Sequence, residues 1–231
     1  MTEPFLNKQV LSALVINRGN INTDDLMPKF VLKKVDATGY DSYLFDGWRF
    51  NDKGSLDKKL SDRTPNDGFE LNVFEKLFKK TPGLLITAFN FGCGSSREHA
   101  VWGLVQYGIK VVIGYFDGDK AAFDDIFFNS SPKNGLLLIE LPKEMVIYLR
   151  EACETAHASG AEFPMEVDLE NQCIFAGEKK FDFDIDKRTK DKLLKGLDDA
   201  DEIKANYSKD IEDWEKRTKK EKPFLLEPIN G

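Results

Sequence analysis

Within the run Asn90-Phe91-Gly92-Cys93-Gly94-Ser95-Ser96-Arg97-Glu98-His99-Ala100 the chain gathers hydroxyls, an arginine, a glutamate and an imidazole around two glycines. Glycine lets the backbone bend sharply and approach a ligand closely. A helix N-terminus offers free N–H groups and the positive end of a dipole, which attract carboxylate or phosphate. Arg97 adds a planar, permanently charged fork that grips a carboxylate through two hydrogen bonds. The chemistry this composition suits is anion binding with a hydroxyl alongside. A purely structural alternative exists: Ser95-Ser96-Arg97-Glu98 spells a capping box, with Ser95 as N-cap and Glu98 at the third helical position. That cap explains serine and glutamate but not Arg97, the glycines or His99. Cys93, between two glycines, reads as a small packing residue, and His99, in the first helical turn, as a hydrogen-bonding partner of the site.

The bend needs elements to hold it. Before it, Leu84 to Phe89 reads as a strand; after it, Arg97 to Tyr107 reads as a helix. The alternation continues with strand 110–114, helix 119–130, strand 136–141 and helix 143–157, the pattern of a parallel α/β core. Residues 9–16 add a strand, Asn17 to Asp25 a polar loop, and 46–72, rich in Gly, Asp, Asn and Lys, an exposed excursion. Gly108 and Gly135 stand where C-cap or turn glycines belong. Beyond Gly160, Met165–Leu169 and Phe181–Ile185 alternate apolar with acidic residues, the mark of half-exposed strands in a small antiparallel meander. The charged tail from Asp186 is helical in type, with Ile211 and Trp214 as a narrow docking stripe, and Pro223 to Leu226 could tuck against a core or a partner.

Composition narrows the function. At 231 residues, 41% hydrophobic and 32% charged, the chain has the make-up of a soluble globular protein. A net charge of −7 argues against a nucleic-acid partner, which needs a basic surface. No apolar run is long enough to span a bilayer, and the N-terminus lacks the features of a secretory signal. The cysteines at 93, 153 and 173 form neither a disulfide framework nor a metal-ligand spacing, which suits free thiols in a reducing cytoplasm.

The segment 90–100 resembles the signature of the swivel domain of the aconitase superfamily, and within it the small-subunit family of the isopropylmalate dehydratases. Further blocks agree in the same order: Asn22-Thr23-Asp24-Asp25-Leu26-Met27-Pro28-Lys29, Asp46-Gly47-Trp48-Arg49-Phe50, Asp124 to Ser130 with Lys133 to Leu137, and Leu193 to Asp199. They span residues 10 to 200. The resemblance implies an α/β fold with a three-layer β/β/α core, a small C-terminal antiparallel meander and a helical tail. It divides the chain into a swivel domain, residues 1–200, and a helical extension, 201–231, packed on the same domain.

The implied activity is that of one subunit of a two-subunit hydro-lyase, which isomerises 2-isopropylmalate to 3-isopropylmalate through isopropylmaleate in leucine biosynthesis. By resemblance Ser95 is the base that takes a proton α to a carboxylate, and Ser96 and Arg97 bind the substrate's carboxylate. Thr23, Asp24, Glu98 and His99 stand behind them. The segment after Pro28 discriminates substrates, and apolar Phe30, Val31 and Leu32 suit an isopropyl group where an arginine would suit a second carboxylate. Relatives carry Lys-Gln there; here Lys29 runs directly into Phe30. Arg49 is either near the site or paired with acidic neighbours, and His157 reads as a surface residue. The chain itself is expected to hold no metal or cofactor, the family's [4Fe–4S] cluster belonging to a large partner subunit. Two alternatives remain: a sister hydro-lyase subunit acting on homoaconitate, citramalate or a dimethylmalate, the first disfavoured by the apolar segment, and a non-catalytic anion-binding swivel domain.

Overall fold

The computed structural model describes residues 4–5, 7–95, 97–196 and 199–222. In chain order the elements are β1 (Lys8–Val15), α1 (Thr23–Leu26), a 3-10 turn at Lys29–Lys33, α2 (Asp46–Arg49), α3 (Glu70–Phe78), β2 (Leu84–Ile86), α4 (Glu98–Tyr107), β3 (Val111–Gly114), α5 (Asp125–Ser130), a 3-10 turn at Pro132–Asn134, β4 (Leu137–Glu140), α6 (Lys143–Ala158), β5 (Pro164–Asp168), β6 (Cys173–Ala176), β7 (Lys179–Asp182), α7 (Lys187–Lys195) and α8 (Asp199–Glu221).

The strands follow the order β4-β3-β2-β1-β5-β6-β7. β1 is the joint between two ladders. Its second half, Ala13 to Val15, pairs parallel with Leu84 to Ile86, whereas its first half, Lys8 to Ser12, pairs antiparallel with β5. Burial follows the partner: Lys8 to Leu11 are exposed or half-buried, and Ser12 to Val15 are buried. The Leu-Leu-Ile, Val-Val-Ile and Leu-Leu-Ile runs of β2, β3 and β4 are apolar throughout because both faces are covered. Leu14, Leu85, Val112 and Leu138 face a core shared with Ala100, Val101 and Leu104 of α4 and with Leu71 and Phe74 of α3. Ala13, Val15, Leu84, Ile86, Val111 and Ile113 face a second core with Val146, Leu149 and Cys153 of α6 and with Met165, Val167 and Ile174 of the antiparallel ladder. Helices, parallel ladder, then α6 with the second ladder make the three layers.

Several expectations are revised. The helix expected over 119–130 starts only at Asp125: Asp117 and Lys120 close a turn first, and the Asp124 carboxylate then caps the N–H groups of Ile126 and Phe127. The expected antiparallel meander is present as β5, β6 and β7, and β5 is hydrogen-bonded along β1. The 46–72 excursion is exposed only in part. Arg63 is buried and donates to Asp46 and Asp52, and its guanidinium lies 4.0 Å from the Phe50 ring centre. In α8, kinked at Tyr207, Trp214 is 48% exposed, so Ile211 and Trp214 do not make the packed stripe. Pro223 to Leu226 lie outside the described residues. No described helix is long and apolar enough to cross a membrane.

Candidate active site

The bend after β2 is built by backbone conformations that only a few residues tolerate. Asn90, Gly92 and Gly94 all have positive φ, at 55°, 78° and 98°. At Gly92 a side chain is doubly refused, because a Cβ would fall 2.2 Å from Cγ of Phe127 on α5. Phe91 packs edge-on against the same Phe127 ring at 5.4 Å, and Asp124 donates its N–H to the Phe91 carbonyl. α5 is thus the buttress beneath the bend, and the bend lifts Gly94 and Ser95 into solvent.

From the other side the bend is clasped by α1. Asn22 bridges Cys93 in a single parallel pairing. Thr23, buried, donates its N–H to the Cys93 carbonyl at 2.9 Å and its hydroxyl to the Ser95 carbonyl at 2.7 Å. α1 can offer these groups because its own N-terminus is capped reciprocally: the Asn22 side chain accepts from Asp24 and Asp25, and the Asp25 carboxylate accepts the Asn22 N–H. Where the sequence reads as a polar loop, Asn22 thus opens a helical turn; the Asn22…Asp25 spacing is the signal for it.

Ser95 does not cap α4. The cap position is Arg97, in extended conformation at φ −129° and ψ 108°, and no side-chain cap bond is made there. The capping box expected at Ser95–Glu98 does not form, because the Thr23 clasp and the left-handed Gly94 hold Ser95 inside the bend. Arg97 turns its guanidinium toward α1, donating to the Asp24 carboxylate and to the Met27 carbonyl at 3.4 Å. Its side chain is only 9% exposed. Lys29 stands 3.6 Å from the second Asp24 oxygen. The result is an exposed hydroxyl beside a nearly buried, oriented guanidinium, at the start of a ten-residue helix whose N-terminus lacks a side-chain cap. Ser96 lies outside the described residues.

The segment after Pro28 is a 3-10 turn, three residues per turn, and it divides its apolar residues. Val31 is fully buried in the core under α4; Phe30 is half-buried, edge-on to Tyr43 at 5.8 Å; Leu32 is 43% exposed. Val31 therefore faces the core and not a ligand. Glu98 accepts from Asn134 at 3.0 Å, and Asn134 also accepts from the Trp102 indole at 2.9 Å, a link between α4 and the turn after α5 that the sequence reading did not identify. The His99 ring packs on Tyr40 and Trp102 at 5.4 and 4.9 Å. Arg49 is buried between Asn72 and Glu75, both 3.3 Å away, and is a structural pair. His157 is not a surface residue: it is half-buried against Phe74 and Phe78, and burial pulls its pKa below the usual histidine value.

The thiols fit no iron–sulfur cluster. Cys93 sits in the bend, Cys153 on α6 and Cys173 on β6, the last two buried. Desolvation pushes all three thiols up, Cys153 to about 12, away from the thiolate a metal needs. Among the described residues no group of three or more His, Cys, Asp or Glu could hold a metal ion.

Comparison with known proteins decides the family. Residues 5–144 match the aconitase C-terminal domain. A 3-isopropylmalate dehydratase small subunit of Bacillus cytotoxicus is 40% identical over 217 residues, which cover 94% of this chain and 98% of that protein. The chain belongs to the 3-isopropylmalate dehydratase small-subunit family. The small subunit of Bacillus anthracis is 39% identical over 93% of this chain. A crystal structure of 3-isopropylmalate dehydratase (leuD) from Methanocaldococcus jannaschii superposes with a TM-score of 0.56 at 20% identity, covering 89% of this chain and 99% of that one, a likeness of fold. The α/β swivel architecture is thus that of a small-subunit family member.

Proposed function

We propose that Ser95 and Arg97 form the half-site that this chain brings to a hydro-lyase. The chain is the small subunit of a 3-isopropylmalate dehydratase, and it works with a large-subunit partner. The observation that carries the site assignment is the pairing of an exposed Ser95 hydroxyl with an oriented Arg97 fork on one bend clasped by α1.

In this reading Arg97, Ser96 and the first turn of α4 receive a carboxylate of 2-isopropylmalate. Ser95, deprotonated, takes a proton from the carbon adjacent to a carboxylate. The C–H electron pair becomes the double bond of isopropylmaleate as the neighbouring hydroxyl departs with its bonding pair as hydroxide. Hydroxide then adds to the carbon that lost its proton, and the resulting electron pair takes the proton back from Ser95 at the carbon that lost the hydroxyl, which regenerates the alkoxide. A serine alkoxide is feasible only beside positive charge, which Arg97 and the helix N-terminus supply here. The family's [4Fe–4S] cluster does not fit this chain's thiols and is assigned to the large subunit. Leu32, and the exposed edge of Phe30, would meet the isopropyl group. A cytoplasmic enzyme suits cysteines that form no disulfide.

The test is co-expression with the large subunit and anaerobic assay on a panel of 2-hydroxy dicarboxylates. The reading expects 2-isopropylmalate to be preferred over homoaconitate and citramalate. Turnover of all of them at equal rates would remove the substrate assignment.

A further inference from the structure

The carboxylate that meets Arg97, at its Nη1, belongs to the protein itself. Asp24 is not needed for the fold of its own helix: α1 is capped by Asn22 and Asp25, and the Asp24 side chain projects from this cap with 42% exposure. Its two oxygens face two different cations. One is held by Arg97, whose side chain is nearly buried and restrained by the Met27 carbonyl; the other lies 3.6 Å from Lys29, whose side chain is 76% exposed. A nearly buried cation and an exposed one thus share one carboxylate, in the place where the reading of Arg97 as a substrate-carboxylate binder, on which this inference rests, requires a ligand's carboxylate to go.

We infer that Asp24 is a stand-in for the substrate: it holds Nη1 of Arg97 while the site is empty and passes fully to Lys29 when a dicarboxylate arrives. The exchange keeps Arg97 oriented and its charge compensated in the empty site, so a nearly buried guanidinium is never left unpaired. It also sets a threshold for binding. A ligand bearing one carboxylate must compete with Asp24 for the fork, and its apparent affinity falls by the fraction of molecules in which the fork is free. A dicarboxylate with its second group held elsewhere overcomes that competition. Lys29 makes the exchange possible because it already stands 3.6 Å from the other Asp24 oxygen.

The experiment uses the assembled two-subunit enzyme, with KM for 2-isopropylmalate and the inhibition constant of succinate, a saturated dicarboxylate that cannot react. Asp24→Asn keeps shape and removes the competing charge. Both constants should fall by about tenfold if the internal pair holds about nine-tenths of the population. Lys29→Met should move them the opposite way, and in the Asp24→Asn background its effect should vanish, because Lys29 acts through Asp24. Constants that rise in Asp24→Asn, or a Lys29→Met loss that persists undiminished in that background, would overturn the exchange. Arg97→Lys separates this from the underlying reading: if it leaves both constants unchanged, Arg97 does not bind the substrate; if it weakens both while Asp24→Asn also weakens them, only the exchange fails.

Discussion

A serine that sits in a bend and not on a helix cap has its two conceivable roles separated by experiment. Because Arg97, not Ser95, occupies the cap of α4, Ser95→Ala should leave the melting temperature of the assembled enzyme within a degree or two and lower kcat by roughly 10²–10⁴-fold, the usual cost of removing a proton-transfer group. A near-normal kcat in an assembled Ser95→Ala enzyme would end the assignment. Arg97→Lys keeps the charge but loses the fork, so it should chiefly raise KM. The apolar segment yields a contrasting pair. Leu32→Arg, at an exposed position, should reduce use of 2-isopropylmalate while thermal melting hardly changes. Val31→Arg buries a charge in the core and should abolish soluble expression. Sequence alone brought Ser95, Arg97, Thr23 and Asp24 into view by their types and by resemblance. It did not separate Val31 from its neighbours, because a 3-10 turn obeys neither of the periodicities by which faces are read, and which residue turns inward is settled by the core beneath it.

At the scale of elements, the bend, α1 and α5 make one unit whose parts are remote in sequence. Gly92 is its tightest point. Gly92→Ala combines a left-handed backbone with a clash against Phe127, and should cost at least about 1–3 kcal/mol in a denaturant titration; truncating Phe127 as well should restore only the part due to the clash. Thr23→Val removes the hydroxyl that holds the Ser95 carbonyl and should lower kcat with KM nearly unchanged, with Thr23→Ser restoring it. The parallel strands were legible in the apolar runs at 84, 111 and 137 because a ladder covered on both faces demands them. The first turn of α4 was not. Ser95 through Glu98 carries a sound local capping pattern, and the tertiary bond from Thr23, some seventy positions away, overrides it. α5 was read too long for a related reason: Asp124 is a strong cap, and the turn at Asp117–Lys120 ahead of it closes with its own backbone bonds.

For the molecule as a whole, the separated and unactivated thiols mean that this chain alone should be colourless and without dehydratase activity, and should gain activity on mixing with its cluster-loaded large subunit. A purified single chain carrying stoichiometric iron and turning over substrate would contradict that. His157 gives the pH dependence of folding a definite sign. Burial lowers its pKa in the folded state, so below the ordinary histidine value of about 6.5 the unfolded chain binds the extra proton and folding loses stability as pH falls. Denaturant midpoints should decline between pH 7 and 5, and His157→Gln should flatten that decline. The residue was misjudged from its polar surroundings, although it lies one helical turn from buried Cys153 and so on the same face of α6. The joint in β1 carries a consequence for how the protein comes into being. β1 leaves the ribosome before both of its ladder partners and is satisfied only when both have emerged, and Asn7 beside it bonds Glu170, 163 residues further along the chain. At about 5–20 residues per second, that partner emerges on the order of ten to thirty seconds later. Until then the Lys8–Ser12 half of β1 is an unpaired strand edge, while the apolar half can already pair with Leu84–Ile86, so the newborn chain carries an open edge to which another copy could add a strand.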